Sequence, residues 1–312
     1  MIKVTDIQDK LQRVRNEGGF PTLSTGSVQL DKHLRLVVGF PWFLGGQPHH
    51  GKTEVTMELL LKWSKLYGWK HYCYFGESGE IENIVADLCY KLIGKPYFAG
   101  SSYSMNESER MYAEQFISEH FYFADPDKDY TWEAWMKEIE TAERTLKVKF
   151  NITCFDPFND LDYDMAKYPN ITYWLKDVLK DVKRSSKINN RIDMLIVHIG
   201  ETAPVKDSEG NYYTPAALPT QWEGGKIWNR RAFVQINIWK NLQGQTELIV
   251  NKAKPKEAKV YDAEHKAHWR WDWKKNRYDE NIGGEQKYIL EDEPIKVQEY
   301  NTRVEPINDV PF

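Results

Sequence analysis

Eight consecutive residues, Gly46-Gln47-Pro48-His49-His50-Gly51-Lys52-Thr53, have the spacing G-x-x-x-x-G-K-T. Glycines at both ends let backbone amides converge on phosphate oxygens, and a helix behind them adds its positive N-terminal end. In such a loop Lys52 reaches the β- and γ-phosphates of a nucleoside triphosphate, ATP, and Thr53 ligates Mg²⁺. Glu54 opens the helix that follows, so residues 46–54 are the expected nucleotide contacts. Asp156 ends the apolar run Ile152-Thr153-Cys154-Phe155. A carboxylate there suits a second metal partner, although Pro157 and Asn159 also allow a turn-capping role. Glu77 follows Phe75-Gly76, where an acid can orient water for in-line attack on the γ-phosphate. Glu80 and Glu82 are its rivals, but they begin a helix and read more simply as partners of its dipole. His198 lies at the end of the run Met194–Ile199. It is either a γ-phosphate sensor or a hydrogen-bonded core histidine.

Alternating strands and helices must position these residues. Residues 3–17 read as a short amphipathic helix. Phe40 to Leu44 is an apolar run entering the loop, and Val55, Leu59, Trp63 and Leu66 then fall at helical spacing. His71–Phe75 reads as a buried strand, and a helical stripe from Ile81 to Ile93 stops at Gly94 and Pro96. Helices over 107–119, 131–146 (capped by Thr131) and 171–185 are expected. So are strands at 121–123, 152–155, 194–199, 233–239 and 248–250. Trp269, Trp271 and Trp273 alternate with polar residues, the pattern of a strand with one aromatic face. The order predicts an α/β fold with a mostly parallel central sheet covered by helices on both faces.

Composition limits the reading. The chain has 312 residues, 41% of them hydrophobic and 28% charged, as in globular proteins. No apolar run is long enough to cross a membrane, and three scattered cysteines make neither a disulfide framework nor a zinc site. A cytoplasmic location is expected. The net charge of −4 is concentrated in residues 291–312, which carry six acids against two bases. Residues 252–277 carry nine bases against four acids, so a local basic surface is compatible with mild overall acidity.

Taken in order, these motifs resemble the core of DnaB-like replicative helicases, in particular Twinkle and the phage helicase-primases. The likeness runs from about Ser24 to Tyr278. Ser24-Thr25-Gly26 with Leu30-Asp31 resembles the family's entry to the phosphate loop. Phe75-Gly76-Glu77 looks like its catalytic-glutamate strand, and Asp156-Pro157-Phe158-Asn159 like its metal-carboxylate strand. Val197-His198 is similar to its sensor, and Gly224–Asn229 to the segment after its DNA-binding loop. Asn251–Lys254 resembles the motif that reaches a neighbouring subunit's ATP. The resemblance implies a RecA-like P-loop ATPase with Mg²⁺, working as a homo-oligomeric ring, a hexamer, that moves 5′ to 3′ on single-stranded DNA in replication. Lys252 and Lys254 would be the trans pair. Lys254 stands where arginine is usual, giving charge without a planar fork. Lys206, Tyr212, Tyr213 and Lys226 would contact DNA, although Lys206 is the only base in loop 201–222, which also holds Trp222.

The expected organisation is an N-terminal helix or linker (1–20), an ATPase core (21–290) and a flexible acidic tail (291–312). The tail's tip, Asp309–Phe312, resembles that of single-strand-binding proteins and suits docking to a replication partner. A core without accessory domains points to a bacterial cytoplasm and a phage source. It also leaves open two other readings: a recombination mediator or helicase loader that does not unwind, and an interaction protein that binds ATP without turnover.

Overall fold

A computed structural model describes residues 3–16, 19, 21–100, 102–200, 202–260 and 265–290. The C-terminal segment from 291, with the docking tip Asp309–Phe312, lies outside the described residues. The helices are α1 (Gln8–Asn16), α2 (Lys52–Tyr67), α3 (Ile81–Ile93), α4 (Glu107–His120), α5 (Trp132–Leu146), α6 (Ile171–Ile188) and α7 (Ile227–Arg231). Ten strands form one sheet: β1 (Trp42–Gly46), β2 (His71–Phe75), β3 (Phe121–Phe123), β4 (Ile152–Asp156), β5 (Ile192–His198), β6 (Val234–Lys240), β7 (Thr246–Lys252), β8 (Lys266–Asp272), β9 (Arg277–Ile282) and β10 (Glu285–Tyr288). Among the described residues no helix is long and apolar enough to cross a membrane.

The sheet order is β10-β9-β8-β7-β6-β1-β5-β4-β2-β3. From β6 to β3 every pair is parallel, and from β6 to β10 every pair is antiparallel. The predicted α/β sheet is thus present, with a meander of antiparallel strands added after β6. Side chains alternate across it as pleating requires. Trp42, Leu44, Met194 and Ile196 join α2, α3 and α4 in one core, while Phe43, Leu195 and Val197 join α5 and α6 in the other. Local signals hold where expected. The Thr131 hydroxyl accepts from Ala134 N at 3.2 Å to start α5, and Gly94, at φ 74°, ends α3.

Two expectations change. Trp269 is buried and Trp271 half-buried on β8, but Trp273 falls in the following turn at 71% exposure. The aromatic face therefore stops at Trp271, because the chain reverses after Asp272. Trp222, expected on an open loop, is buried with its ring packed on Gly45. It cannot stack on a base without leaving the core.

One buried ion pair ties α6 to the parallel strands. Arg191 Nε donates to Asp193 Oδ1 at 2.7 Å, and both side chains are buried. Asp193 also accepts from Thr153 at 2.7 Å and Ser186 at 2.9 Å, and Arg191 donates to Ser185 at 3.0 Å. Removing one member would strand the other's charge out of water. Asp193→Ala should cost about 3–5 kcal/mol in urea unfolding; a loss under about 1 kcal/mol would contradict this account.

Candidate nucleotide site

Parallel pairing brings the chemistry together. Gly46 at the end of β1 is in register with His198 at the end of β5, and Phe75 of β2 with Asp156 of β4. All four strands therefore release their following residues at one edge of the sheet. The phosphate loop leaves β1 there and turns into α2 at Gly51, whose φ of 81° suits a residue without Cβ. A Cβ on Gly46 would stand 2.6 Å from the Ile238 carbonyl oxygen of β6. The loop is thus held close to β6 on one side and faces β4 and β5 on the other.

Thr53 Oγ1 donates to Asp156 Oδ2 at 2.7 Å, and the buried Lys52 Nζ donates to Gln47 O at 3.0 Å. His198 Nε2 lies 3.3 Å from Glu77 Oε2. Lys52, Thr53, Glu77, Asp156 and His198 thus gather at this edge. The structure adds a link that sequence reading missed. His198 N donates to Asn159 Oδ1 at 2.8 Å, and the Asn159 amide donates to Glu223. Asn159 was visible in Asp156-Pro157-Phe158-Asn159, but its partner lies across a loop and left no local signal.

Electrostatics follow from burial. Desolvation pushes the Asp156 carboxyl up to about 6, against the Thr53 hydrogen bond and the Lys52 charge. Desolvation lowers the Lys52 ammonium, opposed by Asp156 and Glu77. Burial and then Lys52 lower the His198 imidazole, against Glu77 and Glu223. A buried carboxylate beside a hydroxyl is a hard-oxygen donor set, which fits Mg²⁺. Among the described residues no group of three or more His, Cys, Asp or Glu is set to hold a metal alone. That suits an ion shared with phosphate oxygens.

Other expected site residues lie elsewhere. The Glu54 carboxylate pairs with buried Lys91 at 2.6 Å. Lys252 is in register with Gln235, and Gln235 with Phe43, so it lies toward the opposite edge of the sheet. At ~3.3 Å per residue it is roughly 13 Å along the strands from the level of Gly46. Its ammonium donates to the Asn229 carbonyl, and the neighbouring charge of Lys254 together with burial lowers its pKa, burial being the larger cause. Lys206 and Tyr212 pair in a small ladder, Val205–Lys206 against Tyr212–Tyr213, with Lys206 Nζ 4.9 Å from the Tyr212 ring centroid. Lys226 directly precedes α7.

The Asp156 shift predicts a pH signature in metal-free protein. A raised carboxyl favours the neutral form on folding, so its contribution is full near pH 3.8 and fades as pH rises through about 6. The stability difference between wild type and Asp156→Asn should therefore move toward the variant between those values, by roughly 2–3 kcal/mol. A difference independent of pH in thermal unfolding would refute it.

No protein-family profile matches the chain. The Twinkle homolog protein of Arabidopsis thaliana, chloroplastic/mitochondrial, is 25% identical over 178 residues, 55% of this chain and 25% of that protein. The chain thus spans about a quarter of that relative's length. A solved helicase ATPase domain superposes with TM-score 0.65 at 13% identity, covering 87% of this chain and 97% of that domain. A DnaB-like replicative helicase, solved in a study of its interactions with primase, gives TM-score 0.65 at 12% identity, covering 89% and 66%. The chain therefore carries the RecA-like fold of a DnaB/Twinkle-type helicase core.

Proposed function

We propose that the chain is the ATP-hydrolysing motor of a replicative DNA helicase, built as a ring that moves on single-stranded DNA. The observation that carries the reading is the separation of two charged groups. Lys52, Thr53, Glu77, Asp156 and His198 share one edge of the sheet, whereas Lys252 lies toward the other with Lys254 two residues on. A phosphate site at one edge and spare cations toward the other suit head-to-tail assembly, in which each protomer completes its neighbour's site. Such trans cations contribute roughly 10³–10⁵ in rate in other nucleotide hydrolases. A hexamer and 5′ to 3′ movement follow from the family resemblance.

In this reading the loop amides and Lys52 bind and orient the β- and γ-phosphates. Thr53 and Asp156 would hold Mg²⁺, which supplies charge neutralisation on the phosphate oxygens. Glu77 orients a water and takes its proton as the water oxygen attacks the γ-phosphorus and the bond to ADP breaks. A neutral His198 donates its Nε2 proton to Glu77, so the carboxylate is aimed without losing basicity to a cation. Through Asn159 and Glu223 the same histidine strand is tied to the segment that enters α7. DNA would be gripped by Lys206, Tyr212, Tyr213 and Lys226.

A second reading, a loader or mediator that does not unwind, is favoured by the burial of Trp222 and by Lys206 lying over Tyr212. Both leave the loop less able to hold a strand. ATPase assays with and without single-stranded DNA, beside strand displacement on a fork, separate the two. Glu77→Gln should lower kcat about 10²–10⁴-fold with nucleotide binding retained; wild-type turnover would remove Glu77 from the catalytic role.

A further inference from the structure

The interior of the phosphate loop holds two histidines that the proposed hydrolysis does not use. One of them has a defined partner. Lys240 N donates to His50 Nδ1 at 2.8 Å. The ring is half-buried. Lys240 is the last residue of β6, paired on its other side with Thr246 of β7. Pairing between β1 and β6 ends at Gly45 with Asn237, since the chain leaves β1 to form the loop. The last N–H on that side of β6 therefore has no strand to bond, and a buried N–H left unpaired is costly. His50 fills the place that β1 vacates. The local backbone is shaped for it. His49 takes φ 65°, in the left-handed region, and His50 N reaches Gln47 O at 3.4 Å, turning the loop back toward β6.

We propose that His50 is a positioning residue: its Nδ1 latches the phosphate loop onto the end of β6, and only the neutral ring can do so. The proposal rests on the nucleotide-binding reading of the loop. A neutral imidazole with its proton on Nε2 accepts at Nδ1. A protonated ring has a donor at both nitrogens and would face the Lys240 N–H with another N–H. The charged groups around the ring are Lys52 and His49 from the loop and helix, and Lys240 from β6. Burial first, then these groups, lower the His50 pKa from its ordinary 6.5. The latch is therefore complete above the ordinary imidazole range and is lost as pH falls through the lowered value. It joins the phosphate loop to the strand that turns directly into β7, where Lys252 lies.

The test uses the full chain, with fluorescent ADP and Mg²⁺ as the probe. Wild type, His50→Phe, His50→Asn and Lys52→Ala are titrated at about pH 5.5 and 8. Asparagine places an oxygen near the position of Nδ1 and does not titrate. Wild type should bind more tightly at the higher pH. His50→Phe should bind roughly fivefold to tenfold more weakly there and show no pH step. His50→Asn should keep wild-type affinity at both values. Wild-type affinity in His50→Phe at the higher pH, or an undiminished pH step in His50→Asn, overturns the latch. If wild type and Lys52→Ala both fail to bind, the nucleotide reading falls instead. The latch is then judged by the Lys240 amide proton shift in wild type, which should titrate with the His50 ring. An amide shift that ignores the ring's titration overturns the proposal even if the variants do not fold.

Discussion

A Cβ on Gly46 would stand 2.6 Å from the Ile238 carbonyl, and one on Gly51 would stand 2.7 Å from the Tyr278 hydroxyl. The phosphate loop can occupy its place only because its backbone passes within contact of β6 and β9 with no side chain between. That squeeze sets the rest of the site. With the loop held at the seam between parallel and antiparallel strands, Lys52 and Thr53 face Asp156 across the ends of β1 and β4. The catalytic side chains come from the parallel half, whereas the supports beneath the loop come from the antiparallel half.

Those supports are themselves charged and buried. Lys91 of α3 is fully buried, pairs with Glu54 at 2.6 Å and Glu58 at 3.7 Å, and lies 4.3 Å from the Trp271 ring centroid. Desolvation raises the Glu58 carboxyl to about 7 against the opposing charge of Lys91. This cluster links the helix that starts at the loop to α3, which follows Glu77, and both to β8. A buried set of this kind adds little net stability over apolar packing but strongly penalises misplacement. It suits a site whose parts must keep a fixed relation while a ligand's charge comes and goes.

Much of the site was legible because its signals are local. The G-x-x-x-x-G-K-T spacing, the acids at strand ends and the caps at Thr131 and Gly94 each depend on a few neighbouring residues. Strand type was legible for the same reason, since an apolar run before a helical stripe can only alternate layers. The antiparallel meander was less so. Alternation at Trp269, Trp271 and Trp273 gives a strand, but the reversal after Asp272 depends on pairing with β9. Trp222 was misplaced because nothing near it in sequence announces that Gly45 leaves a flat surface for its ring.

By itself, then, the sequence determined that a phosphate-binding loop stands between a strand and a helix in an α/β chain, with Asp156, Glu77 and His198 at the ends of later strands. Only the tertiary structure decided which of these meet. Register places Gly46 beside His198 and Phe75 beside Asp156, and it sends Lys252 toward the other edge. It also brings Lys240 to His50, 190 positions away in the chain. The physical reason is the same in each case. Backbone geometry and periodicity are written over a few residues, whereas a hydrogen bond between distant segments exists only once the sheet has fixed the order and direction of its strands.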